Sequence, residues 1–295
     1  MNLSTIKFPQ LSTHSSAPIW VGNGFRVGSD LYQVLSYSQN EAGWNENLAL
    51  FQEETAGEHF IDNASRTHAI EQIKKYCVTP NPIILEVGCS SGLFLKELRH
   101  SFPNASLIGS DVAYQSLIQL SKQQSDIPLL QFDLVECPLP DSCVDVVVLL
   151  NVLEHVEKHA EAMQQIKRIL KPGGIAILEV PANPNLYDSY DKMYKHFRRY
   201  TAKGLKQLVT ECDMNILMQS HLGFFLYPGF WFVKKRNQRL LNENDLLQRN
   251  TVAKNISRTR SNTILKTLMN FELKLGQYVS YPMGIRCLLT CTKSK

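Results

Sequence analysis

The alternation of apolar and polar positions changes character along the chain. Residues 1–40 are rich in Ser, Gly and other polar residues without a clear period, which reads as an arm or cover, and Asn63 to Cys77 then places Ala69, Ile70, Ile73 and Cys77 on one helical face. From Pro82 onward short aliphatic runs alternate with amphipathic stretches of helix length, the pattern of a parallel sheet with crossover helices. The runs Ile83–Val87, Ser106–Ser110, Leu129–Phe132, Val144–Leu150 and Ile175–Val180 are aliphatic, as strands covered on both faces require. Between them Leu93–His100, Tyr114–Gln123 and Ala160–Leu170 have helical spacing, with Ala160, Met163, Ile166 and Leu170 on one stripe. Lys171-Pro172-Gly173-Gly174 stops the last of these helices, because proline cannot continue the ladder and glycine accepts a left-handed cap.

Beyond the fifth run come a loop rich in Pro, Asn and Tyr (Pro181 to Asp191), a helix near Ala202 to Cys212 and a strand from Met214 to Ser220. Residues 222–281 form a long basic detour, helical in parts, before a last apolar strand from Ile285 to Thr292. The expected organisation is an arm and helical cover (1–80), an α/β core (81–221), a helical insertion or lid (222–281) and a final core strand and tail (282–295).

Composition narrows the class. The chain has 295 residues, 44% hydrophobic and 20% charged, which suits one large globular domain with additions. A formal net charge of +4 is too small to imply a nucleic-acid partner through bulk charge. No window approaches the run of about 18 apolar residues that spans a bilayer, and the first residues lack an apolar signal core, so a cytoplasmic protein is expected. Seven scattered cysteines without a C-x-x-C pair suggest reduced, mostly buried thiols.

Candidate chemistry starts at Ile84-Leu85-Glu86-Val87-Gly88-Cys89-Ser90-Ser91-Gly92, which ends a buried strand and opens a helix, so that backbone amides and small residues face a crevice. The dinucleotide pattern G-x-G-x-x-G is absent, since Ser90 and Leu93 stand at its second and third glycines, and a nicotinamide cofactor is disfavoured. Asp111, about 20 residues on at the end of the second strand, suits the hydroxyls of a ribose, with Val112 beside it. Asp133 after the third strand can accept from an adenine amine while the Leu134 amide donates to a ring nitrogen. Glu86 is placed to meet a cationic amino group. An unliganded tight turn, with the two aspartates as helix caps, is the competing reading.

At these residues the chain resembles the class I S-adenosylmethionine-dependent methyltransferases, over roughly residues 80–220 plus the last strand. Glu86 to Gly92 looks like the first motif of that family, Asp111 like its ribose acid and Phe132-Asp133-Leu134 like its adenine contact. Asn151-Val152-Leu153-Glu154-His155-Val156 looks like the segment after the fourth strand. Ser90 departs from the usual glycine. The resemblance implies a doubly wound, Rossmann-like, seven-stranded, mostly parallel sheet whose last strand lies antiparallel beside the sixth. It also implies S-adenosylmethionine as cofactor, held by Glu86, Gly88, Cys89, Gly92, Asp111, Val112, Asp133, Leu134 and Asn151. Some relatives with a similar Glu-His segment hold a divalent metal through an earlier carboxylate; Asn151 stands at that position here, so no metal is expected.

Methyl transfer needs an acceptor in attack geometry and, for a hydroxyl, a base. His155 is one candidate, with helix packing as the alternative. The second cluster is Asp191-Lys192-Met193-Tyr194-Lys195-His196-Phe197-Arg198-Arg199-Tyr200, similar to a D-x4-H-x-R-R-Y segment in a bacterial subgroup of these enzymes. There His196 is a second candidate base and Asp191, Arg199 and Tyr200 are candidate substrate contacts; alternatively Asp191 and Arg199 pair to pin a lid with Tyr200 packed beneath. The aromatic run from Leu222 to Val233, followed by Lys234-Lys235-Arg236, reads as a buried lid or dimer helix, with peripheral membrane contact through 222–239 as the other reading. Ile264, Leu268, Phe271 and Leu275 are expected to pack with it. These features predict methylation of a small-molecule or lipid-like acceptor, preferentially on oxygen; the rival is a noncatalytic cofactor-binding subunit of a larger assembly.

Overall fold

In a computed structural model, residues 6–12, 14, 16–38, 59–239, 241 and 262–294 are described. Parts of the expected arm (1–5, 13, 15, 39–58) and of the insertion (240, 242–261) lie outside the described residues. The strands are β1 (Ile19–Trp20), β2 (Phe25–Val27), β3 (Asp30–Tyr32), β4 (Val34–Ser36), β5 (Ile83–Val87), β6 (Ser106–Asp111), β7 (Leu129–Gln131), β8 (Val144–Leu150), β9 (Leu170–Pro181), β10 (Met214–Leu222) and β11 (Arg286–Lys293). The α-helices are α1 (Phe60–Tyr76), α2 (Leu93–Ser101), α3 (Tyr114–Gln123), α4 (His159–Ile169), α5 (Ser189–Met193), α6 (Ala202–Glu211), α7 (Tyr227–Gln238) and α8 (Thr263–Leu275).

The main sheet runs β10-β11-β9-β8-β5-β6-β7-β4, parallel except where β11 runs antiparallel between β9 and β10. It has eight strands rather than the expected seven: Val34–Ser36 of the amino-terminal arm pairs in parallel with β7. A separate antiparallel sheet of β1, β2 and β3 lies within residues 19–32 of that arm, where the sequence pattern shows no period. Strands this short carry too few alternations to register as a period.

Side-chain alternation on the aliphatic strands divides the core into two layers. On one face Ile84, Val146, Val148 and Ile177 pack with α1, α2 and α3; on the other Leu85, Val147 and Leu178 pack with α4, α6 and the arm residues Phe8 and Phe25. Asp145 pins the lower end of the sheet, its Oδ2 accepting from the Ile83 amide and from Lys171 Nζ, each at 2.8 Å. The Lys171–Gly174 hook does end α4, but it is absorbed into the start of β9 as a shift in register against β8. The buried face of α4 is Ala162, Met163, Ile166 and Ile169, with Ala160 off it.

The insertion is where the apolar pattern misleads. Helix α7 buries Lys234 and Asn237 while leaving Trp231 45% and Phe232 65% exposed. Helix α8 buries Met269 and Glu272 while Ile264 is 77% and Phe271 56% exposed, so the expected stripe is not the packed face. The Glu272 carboxylate accepts from the amides of Gly223, Phe224 and Phe225, closing the turn ahead of α7. Among the described residues no helix is long and apolar enough to cross a membrane.

Candidate active site

The turn after β5 is built chiefly by satisfying its own backbone. The Gly88 and Cys89 amides both donate to the Ser110 carbonyl, the Gly92 amide to Cys89 O, and the Ser90 amide to Asp111 Oδ2 at 2.9 Å. Four amides of the turn are thus engaged within the protein, ahead of the first residues of α2. Gly88, Ser90 and Gly92 all have positive φ. A Cβ on Gly88 would lie 2.6 Å from Val152 Cγ2 and one on Gly92 2.3 Å from Leu120 Cδ1, so both glycines serve packing as well as conformation.

Asp111 Oδ1 accepts from the Ala113 amide while Oδ2 holds Ser90, and burial raises its carboxyl against these backbone bonds. Each carboxylate oxygen retains a second acceptor position, so Asp111 keeps capacity for ribose hydroxyls. Asp133 caps the short turn Leu134–Glu136 through the Val135 amide and likewise keeps a second oxygen. Val112 is half-buried and its carbonyl accepts from Gln131; Leu134 and the Cys89 side chain are buried in the core. Glu86 is 6% exposed on the face packed by α1, α2 and α3, bonded to the Leu95 backbone, and its Oε2 has no hydrogen-bond partner; burial, then Asp111, pushes its carboxyl well above the usual range.

A cavity of about 470 Å³ opens at the carboxyl ends of β8 and β9, where ligands of open α/β sheets bind. Asn151, Pro181 and Arg286 belong to its sheet side, and α1, α5, α7 and α8 supply Phe60, Tyr190, Phe230 and Leu265. Asn151 takes a left-handed conformation at φ 57 and donates from Nδ2 to Glu179 Oε1 at 3.0 Å. Glu179 in turn meets Arg286 at 2.7 Å, and Arg286 reaches Asp62 at 2.5 Å, so one ionic chain ties β8, β9 and β11 to α1. A larger cavity, about 710 Å³ between α1, β10 and α8, contains none of the candidate cofactor, substrate or catalytic residues.

The two histidines, 41 positions apart in sequence, meet in the smaller cavity, with ring centroids 4.6 Å apart at 85°. His196 Nδ1 pairs with Asp191 Oδ1 at 2.8 Å, and a hydrogen bond to the Tyr194 backbone holds His155. Burial, then the neighbouring His196, pushes His155 down to about 3, and burial also lowers His196 despite Asp191, so both rings are neutral near pH 7. Glu154, absent from the expected site, is fully buried beside them, and burial pushes its carboxyl up to about 8.

Asp191 and Tyr200 are corrected as substrate contacts. Asp191 is fully buried; burial raises its carboxyl, but Lys234, His196 and Arg199 together hold it well below the usual range. Arg199 Nη1 bonds it at 2.9 Å and Lys234 Nζ at 2.9 Å, while Lys234 also reaches Asp188 at 2.7 Å. The lid is therefore pinned as the structural alternative described. Tyr200 is 5% exposed and its hydroxyl donates to the Leu153 carbonyl and meets His159 Nδ1, outside the cavity. Arg199 does line the cavity, but with Nε on the Ala182 carbonyl and Nη1 on Asp191. Lys234 and Arg286 were missed because each meets its partners across more than 40 residues of chain. Glu154 stood next to His155 in the quoted motif, and that adjacency was the available signal.

Residues 85–178 match the family described as "Methyltransferase domain". A "probable S-adenosylmethionine-dependent methyltransferase" of Mycolicibacterium smegmatis is 27% identical over 148 residues, covering 50% of this chain and 56% of that protein. A demethylmenaquinone methyltransferase of Lactobacillus johnsonii is 29% identical over 139 residues, covering 43% and 57%. The chain spans about half the length of the curated relatives it matches. Among solved structures, a SAM-dependent methyltransferase from Thermotoga maritima superposes with a TM-score of 0.54 over 84% of this chain and 99% of that one, at 13% identity, a likeness of fold alone.

Proposed function

We propose that the chain is an S-adenosylmethionine-dependent methyltransferase acting on a small, largely apolar acceptor with a hydroxyl group. The match of residues 85–178 to a methyltransferase domain, with Asp111 and Asp133 at the ends of β6 and β7, supports the cofactor. The observation that carries the acceptor reading is the cavity beyond Asn151, whose wall combines aromatic and aliphatic side chains with the facing pair His155 and His196. The bound sulfonium would supply the electrophilic methyl group.

The chain's own residues do the rest. Asp111 and Asp133 accept hydrogen bonds from the nucleoside, and Asn151, fixed by Glu179, marks the passage from cofactor to acceptor. Phe60, Tyr190, Phe230 and Leu265 cover the acceptor's apolar body and exclude water, which holds the reacting atoms in line. His155 and His196, neutral and oriented from behind, can accept a hydrogen bond from the reacting hydroxyl, and this pair of acceptors is what favours oxygen over a carbon or nitrogen acceptor.

Calorimetry with S-adenosylhomocysteine tests the cofactor. Binding is expected, with affinity lowered at least about tenfold in Asp111→Ala, the loss of roughly one to two charge-assisted hydrogen bonds. Labelled methyl transfer into fractionated cell extract tests the activity, with product in an organic-extractable fraction and an oxygen-linked methyl group. No heat with either S-adenosylmethionine or S-adenosylhomocysteine would overturn the reading; heat without labelled product in any fraction would favour a noncatalytic subunit.

A further inference from the structure

Glu154, which the methyl-transfer reading does not use, stands in one set with His155 and His196. One carboxylate oxygen and two imidazole nitrogens all lie within 4.8 Å of one another. Neither oxygen of Glu154 receives a hydrogen bond from another residue, although the side chain is 0% exposed. A carboxylate buried in that state is costly unless a partner completes it.

The two rings are also held as ligating imidazoles are held. His196 spends Nδ1 on Asp191, which leaves Nε2 for ligation, and Asp191 is itself fixed by Arg199 and Lys234. The Tyr194 backbone holds His155. A carboxylate or backbone group behind each histidine fixes ring orientation and tautomer at metal centres.

We propose that Glu154, His155 and His196 bind a divalent transition-metal cation at the wall of the acceptor cavity. Two imidazoles and one carboxylate suit zinc or ferrous iron rather than magnesium or calcium, which prefer all-oxygen sites. The expectation of no metal rested on Asn151 replacing an earlier carboxylate; the structure supplies His196 from a distant segment instead. Three protein ligands leave a coordination position toward the cavity, where an acceptor oxygen can bind and lose its proton more readily. The histidines then act as ligands, and the metal takes over activation of the hydroxyl. That use of the open position rests on the methyl-transfer reading; metal binding itself does not.

Cobalt(II) titration of the chelator-treated full chain reads the site through its visible d–d absorption, with elemental analysis giving stoichiometry. One cobalt per chain is expected. Glu154→Gln and the double variant His155→Gln/His196→Gln should weaken binding at least about a hundredfold, and Asp191→Asn, which acts through His196, about 10–100-fold with an altered spectrum. His159→Ala, which removes a nearby histidine bonded to Tyr200, should leave the spectrum unchanged. Far-ultraviolet circular dichroism confirms that each variant is folded; if Glu154→Gln does not fold, Glu154→Asp replaces it, with a shifted spectrum expected. Absence of the absorption bands, or cobalt binding equal in all variants, overturns the site and leaves the methyl-transfer reading standing. Cobalt binding that obeys the variants, in a chain that gives no heat with S-adenosylhomocysteine, supports the site and sinks the methyl-transfer reading instead.

Discussion

His68 shows what burial does to a single titratable residue. Its Nε2 lies buried without a hydrogen-bond partner, and burial, only partly offset by Glu71, pushes the ring down to about 4. The unfolded chain takes up the proton near pH 6.5, the folded chain not until about pH 4. The contribution of neutral His68 is therefore complete above pH 6.5, is lost as pH falls toward 4, and amounts to at most about 3 kcal/mol. Denaturant unfolding at stepped pH should show His68→Leu losing up to about 1.4 kcal/mol per pH unit less than the natural chain across that interval; identical slopes would refute the assignment. The cysteines give a companion expectation. Burial pushes the Cys137 thiol up to about 11 and those of Cys143, Cys287 and Cys291 up to about 12, so iodoacetamide at pH 8 should leave these four unmodified in the native chain and label them after denaturation, as mass spectrometry would show. At this scale the sequence conveyed residue type and neighbourhood but not direction. His196, singled out by the resemblance of its segment to the D-x4-H-x-R-R-Y pattern, does line the cavity. Asp191 and Tyr200 came from the same segment, yet one turned under the lid and the other toward α4, an outcome set by Lys234 and Leu153 far away in sequence.

Helix α7 carries the lesson of the next scale. Its aromatic run reads as a buried face, but the acids of the five-residue helix α5 demand a cation, and Lys234 turns inward to meet Asp188 and Asp191. Trp231 and Phe232 are thereby rotated outward. Periodicity predicts which residues share a face, not which face wins when a buried charge competes with apolar area, since an unpaired buried carboxylate costs more than one exposed aromatic ring gains. Lys234→Met keeps the volume and removes the charge, leaving Asp188 without its ion-pair partner and Asp191 with Arg199 and His196 alone. A loss of about 3–5 kcal/mol is expected by denaturant unfolding, since breaking one side of a buried pair strands the other. Phe232→Ser, on the exposed side of the same helix, should change stability by less than about 0.5 kcal/mol. Equal effects of the two substitutions would mean that the helix is not anchored by its lysine.

Across the whole molecule, the β-strand and crossover-helix order of the core was readable from aliphatic runs and helical stripes, while the eighth strand and the small arm sheet were not, because three-residue strands leave no period. The placement of the last strand was an inference from resemblance, and its consequence is physical. Strand β11 lies between β9 and β10, contributing buried Cys287, Leu288, Leu289 and Cys291, and it is the strand through which β10 joins the sheet. The same strand begins with Arg286, which closes the ionic chain from Asn151 through Glu179 to Asp62. Deleting residues 286–295 would therefore expose the backbone edges of β9 and β10 together with both apolar layers, and strip the buried Glu179 and the half-buried Asp62 of their cation in one step. The shortened chain is expected to lose cooperative thermal unfolding and near-ultraviolet dichroism, whereas Arg286→Met alone should retain both at a reduced melting temperature and weaken the cavity wall. Because β10 joins the sheet only through β11, the wall of the cavity depends on that strand, and retention of a cooperative transition in the shortened protein would show that β10 finds another partner.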